Sequence, residues 1–191
     1  NKLSISEKSL VVFPSLIFLN LAAPTLIEII PRYSKWDSAL LALGILSISS
    51  AFAAISTPIT NTLNAIGKIS ITFKLMIMWS VLTWVFVPYL SIKYGLNGAA
   101  LGFTLVGLTS IIAFFIISRF VTINYLKVVG RPALAAFIMG VILFIIKMII
   151  EPSITQVMIM VVTGFISYSF ISIILEPDLL NNLKQLKSNK K

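Results

Sequence analysis

No charged residue occurs between Asp37 and Lys68. That stretch amounts to about 45 Å of helix at roughly 1.5 Å per residue, more than a hydrocarbon core of about 30 Å. Within such a core every backbone N–H and C=O must find its partner inside the protein, so a segment of this kind folds as a helix. Apolar runs of similar length lie on both sides of it. Hydrophobic residues make up 58% of the chain, charged residues 11%, and mean hydropathy is +1.03, far from the composition of a soluble domain. The chain reads as an all-α integral membrane protein, a bundle of six transmembrane helices.

The six spans are placed at about 5–30, 38–66, 69–92, 97–120, 132–150 and 154–175, forming one lobe over 1–176. Ser4 and Glu7 have the capping-box spacing that opens the first span, and Pro14 and Pro24 should bend it. Pro31 to Asp37 is a short connection whose Tyr33 and Trp36 suit an interfacial belt. Gly67 closes the second span, Tyr94 to Gly98 leaves room only for a tight loop, and Pro132 suits the first turn of the fifth span. Residues 177–191 carry Leu179, Leu183 and Leu186 at helical spacing among Lys184, Lys187, Lys190 and Lys191. This reads as a basic amphipathic cytoplasmic tail on anionic membrane lipids.

The net charge of +9 does not point to nucleic acid, because the cations stand singly between apolar runs and cluster only at the C-terminus. Eleven of the fifteen lysines and arginines fall on the side that holds both ends of the chain, and four on the other. By the positive-inside rule both termini are cytoplasmic and the protein is multi-pass in the plasma membrane. The chain begins with Asn, and its first apolar run has neither a basic leader nor a small-residue cleavage site, so it reads as a piece of a longer protein rather than a signal peptide. With no Cys and no His, thiol nucleophiles, imidazole bases and most metal sites are excluded. Glu28, Asp37 and Glu151 are the acids of the outer side and nothing in the spacing joins them. No enzyme, cofactor or metal is expected.

In the second span Ser47, Ser50, Thr57, Asn61, Asn64 and Lys68 follow one another at steps of three, seven, four, three and four, which keeps them on one side of a helix. Hydroxyl stripes often serve as glue between membrane helices. Two carboxamides and a cation exceed what packing needs, and a wall of a water-filled path is the alternative. Ser50, Thr57, Asn61, Asn64 and Lys68, with Lys74 early in the third span, are therefore the substrate-path candidates. Pro58, inside the stripe, is the hinge candidate. Gly98 and Gly102 form a GxxxG expected to bring helices close.

Three features together resemble the C-terminal half of polysaccharide flippases of the multidrug, oligosaccharidyl-lipid and polysaccharide exporter superfamily. They are LNAIGK (Leu63 to Lys68), YGLNGAALG (Tyr94 to Gly102) and the earlier Pro31–Tyr33 turn, in that family's order and spacing across most of residues 10 to 122. The resemblance implies one lobe of a two-lobe transporter that moves a lipid-linked glycan by alternating access, with the N-terminal lobe missing from this chain. Lys68 and Lys74 would then lie near the cytoplasmic mouth. Two other readings remain: a small-molecule or drug exporter of the same superfamily, which would be expected to carry more intramembrane acid, and a non-transporting scaffold subunit.

The charge bias makes a direct prediction. Cysteines at Lys187 and Asn97 should label from opposite sides of the membrane, with Lys187 cytoplasmic, when intact and permeabilised cells are compared. Labelling of both from one side would overturn the count of six.

Overall fold

The computed structural model describes residues 2–120 and 125–175, and among these all regular structure is helical. Helix α1 (Lys2–Ile29) is followed by a 3-10 turn (Pro31–Trp36), α2 (Ala39–Ala65), α3 (Ile69–Leu108), α4 (Ser110–Ser118), α5 (Tyr125–Ile149) and α6 (Ile154–Leu175). Five runs are long and apolar enough to cross a membrane: Val11–Ile29, Ala39–Ala65, Ile69–Ser118, Val129–Ile149 and Ile154–Leu175. Large side chains that a soluble protein would hide are exposed along them, among them Trp84, Ile92, Met148, Phe165 and Phe170. Such an apolar exterior is stable against lipid rather than water. The basic tail expected over 177–191 lies outside the described residues.

Five runs rather than six are counted because the stretches expected at 69–92 and 97–120 are joined without a break. Inside this run Gly95 alone has non-helical angles, φ 58° and ψ −136°, a conformation that costs side-chain-bearing residues heavily. The run doubles back there. A Cβ on Gly102 would stand 2.9 Å from Val87 Cα, although fifteen residues of straight helix would separate the two by about 22 Å. Further along, the Trp79 indole N–H donates to the Thr109 hydroxyl at 3.1 Å. Residues 69–94 and 96–118 are thus antiparallel arms, pressed together where Gly98 and Gly102 leave no side chain between backbones. A Cβ on Gly98 would collide with the Leu90 carbonyl.

Two other boundaries differ from expectation. Helix α1 is already formed at Lys2, so the Ser4–Glu7 spacing does not mark its start. Helix α5 begins at Tyr125, which puts Pro132 inside it rather than in its first turn. There the ring is buried against neighbouring helices, and packing in the bundle outweighs the lost backbone bond, as it commonly does in membrane helices.

The helices pack as two groups. Helices α2, α3 and α4 surround Ile59, Leu63, Leu75, Ala113 and Ile117, while α1, α5 and α6 surround Met139, Leu143 and Met160. The main seam between the groups is α1 against α2. Small residues set the spacing there and within the second group: a Cβ on Gly44 would meet Asn20 Oδ1 of α1 at 3.5 Å, and one on Gly140 in α5 would press into Ile17 of α1 at 2.8 Å. Since lipid offers helices little hydrophobic drive to associate, this close van der Waals fit and a few polar contacts carry the packing. One such contact is fully buried Gln156, whose Nε2 donates to the Ile150 carbonyl at 2.6 Å and to that of Lys147 at 3.3 Å. It thereby satisfies the end of α5, while the Ser153 hydroxyl accepts from the Gln156 backbone N–H at 3.1 Å and caps α6.

The hairpin can be tested with two glycines. Gly102→Leu should lower folded yield and Tm, since overpacking typically costs about 1–3 kcal/mol and here meets backbone. Gly130→Ala in α5, where a Cβ meets nothing within 4 Å, should be neutral or stabilising by about 0.5–1 kcal/mol.

Candidate functional site

Helix α2 presents two unlike sides. At roughly 100° per residue, Ser50, Thr57, Asn61 and Asn64 fall on one side, and Ile48, Phe52 and Ile55 on the opposite one. Thr57, Asn61 and Asn64 are exposed and Ser50 is half-buried, whereas Ile59 and Leu63 between them are sealed in the core at 1% and 0% exposure. Ser47 leaves the stripe: its hydroxyl accepts from Asn20 Nδ2 of α1 at 2.6 Å and donates to the Leu43 carbonyl at 2.8 Å.

The stripe also stops short of Lys68. The Gly67 N–H donates to the Asn64 carbonyl at 3.0 Å and the Lys68 N–H to that of Leu63 at 2.8 Å, with Gly67 at φ 77°. This is the Schellman closure that a left-handed glycine permits. It turns Lys68 out of the helix, and its Nζ lies 5.2 Å from the centre of the Phe120 ring beyond α4. Lys74 is exposed early in α3. Helix unwinding at the same place leaves Ile66 41% exposed, although its place in the sequence pattern sets it apart from the stripe.

Pro58 is buried within α2 and has no N–H to give the Ala54 carbonyl. Hydroxyls around it bond to the helix's own carbonyls: Thr57 to Ala53, Thr60 to Thr57 and Thr62 to Pro58, each at 2.8 Å. The Thr57 hydroxyl is therefore bound within its own helix rather than across to another. The contacts that do cross between helices come from residues outside the candidate set. Thr104 donates to the Ile45 carbonyl at 2.8 Å, Ser49 to that of Phe103 at 3.1 Å, Thr72 to that of Thr60 at 3.5 Å, and Asn20 to Ser47. Serine and threonine in an apolar helix look alike in sequence whether they bond locally or across. Only Asn20, a single carboxamide in mid-span, carried a signal that could have singled it out.

The apolar side of α2 borders a cavity of about 720 Å³ shared with α1 and α5, walled by side chains such as Ile17, Ile48, Phe52, Phe137 and Phe144. Asn20 and Ser47 are its polar members. A second space of about 390 Å³, between α2, α4 and the start of α5, shares Phe52 and Ile55 with the first. The cavity and the polar stripe thus lie on different sides of the same helix. The chain matches no protein-family model, no curated protein and no solved structure.

An open polar side has a chemical readout. Cysteines at Thr57, Asn61 and Asn64 should react with a membrane-impermeant thiol reagent, while cysteines at Ile59 and Leu63 should stay protected. Equal protection of all five would remove the wet face.

Proposed function

We propose that this chain is one lobe of a plasma-membrane transporter that flips lipid-linked polysaccharide precursors by alternating access, crossing the membrane six times with both termini cytoplasmic. The observation that carries the reading is the exposure of Asn61 and Asn64, with Thr57, on a helix whose other outward side chains are mostly apolar. A carboxamide on an outward membrane face is costly unless it meets water or a polar partner. A path between this lobe and a missing N-terminal lobe supplies both, and a carboxamide offers sugar hydroxyls a donor and an acceptor at once. The two antiparallel arms of the Ile69–Ser118 run, each of membrane length, support six crossings. The LNAIGK and YGLNGAALG motifs support the family. Lys74, and Lys68 held against Phe120, are the cations at the end of the path where a diphosphate headgroup would arrive. Pro58 gives α2 a weakened backbone link beside that path, a place for it to flex.

The test is transport by the complete two-lobe protein in a flipping assay. Asn61→Leu should reduce export several-fold with yield and Tm preserved. Pro58→Ala, which restores the backbone bond, should slow transport more than it alters substrate binding. Full transport by both variants would leave the polar face without a role in flipping.

A further inference from the structure

Helix α1 packs along both α2 and α5, yet among the described residues α2 and α5 hardly touch each other. The cavity of about 720 Å³ lies in the gap this leaves, with α1 as its floor and α2 and α5 as its walls. Leu16 and Ile17 on the floor and Phe52 on one wall are half-buried, whereas Ile48, Phe137 and Phe144, which also line it, are exposed. The gap is therefore a groove that opens sideways, on the surface that faces lipid.

Its length and chemistry are those of one hydrocarbon chain. The lining runs from Phe13 to Leu21, from Ser47 to Ile55 and from Ala133 to Phe144, about 12–17 Å along each helix. That is close to half of a hydrocarbon core of about 30 Å, the distance one acyl chain crosses. Among the described residues no charged side chain lines the groove. Its two polar members are engaged with each other and with backbone: the Asn20 amide hydrogens go to Leu16 O at 2.8 Å and Ser47 Oγ at 2.6 Å, and the Ser47 hydrogen to Leu43 O. A buried water needs about two to four polar partners, and an ionic group at this depth needs a charge or water beside it. An alkyl chain needs neither.

We propose that the groove between α2 and α5 takes up one acyl chain of a bilayer lipid, entering sideways past Ile48 and Phe137, whatever headgroup the lipid carries. The inference rests on the chain spanning a membrane and is independent of what it transports. Helices in lipid are held together largely by van der Waals fit, and α2 and α5 lack that fit with one another. A chain lying between them supplies contacts to both walls and joins the two helix groups where side chains do not.

The experiment uses the full chain in nanodiscs of phosphatidylcholine or phosphatidylglycerol carrying a diazirine near the chain end, with adducts mapped by mass spectrometry. Leu16, Ile17 and Phe52 should carry several-fold more label than Phe18 and Ile146, which are also half-buried but packed against the core of α5 and α6. Both lipids should give the same ratio. Ala51→Phe in α2 and Ala133→Phe in α5 fill the groove from opposite walls at half-buried positions. Either variant, if it elutes like the parent, should lose the label at Leu16 and Ile17 while exposed Leu19 keeps it. Labelling of the floor no higher than at Phe18 and Ile146 would overturn the proposal, as would a ratio that changes with headgroup or survives in a folded, filled variant. Protection of the floor in discs that hold two copies, set against labelling in discs that hold one, would give the groove to a second copy and overturn it as well.

Discussion

A backbone in hydrocarbon has no water to turn to when its own hydrogen bonds end, and most local features of this protein follow from that demand. Where α2 stops, Gly67 adopts a left-handed conformation so that two freed carbonyls are bonded at once. Where the chain must reverse between α3's arms, one glycine takes the whole turn and helix resumes immediately. Where α5 gives way to α6, a buried glutamine amide bonds the orphaned carbonyls. Around Pro58 several threonine hydroxyls bond nearby carbonyls of the interrupted helix.

Packing follows the same economy of polar groups. Glycines at 98, 102 and 140 bring backbone or branched side chains into direct contact, and a handful of hydroxyl and amide bonds fix the rotation of one helix against the next. The result is two groups of helices meeting chiefly along α1 and α2. Small residues make a seam of this kind close. Because they interlock less deeply than large side chains, such a seam also leaves room beside it, and the apolar cavity between α1, α2 and α5 occupies that room.

Helix α2 stands at the seam between the two groups and carries the functional argument. One side packs or borders the cavity, and the other offers Thr57, Asn61 and Asn64 outward. Polar exposure on a membrane helix is the reverse of polar exposure on a soluble one, since the surrounding solvent opposes it. The proposed wet path answers that cost, and the buried proline next to it removes one backbone hydrogen bond from the wall.

Much of this was legible without coordinates. Helical structure and approximate boundaries follow from hydropathy, because lipid allows so few backbone solutions; Gly67 was recognisable as a stop and Gly98 with Gly102 as a close approach. The residues of the polar stripe are periodic in the sequence, and Thr57, Asn61 and Asn64 do share an open face. What periodicity could not decide is which neighbour each side of a helix meets. Ser47 follows the stripe in spacing yet turns to Asn20, and Ser49, Thr72 and Thr104 bind across helices with no mark to distinguish them. Lys68 leaves the stripe because the helix unwinds under it. Pro132 sits inside a helix because burial outweighs the lost bond. The cavity between α1, α2 and α5, and the meeting of Lys68 with Phe120, join residues far apart in the chain. Sequence alone determined that these segments are helices made for a lipid solvent, since that depends on local composition and backbone bonding; which faces meet, and what space remains between them, was decided only by the tertiary packing of small residues.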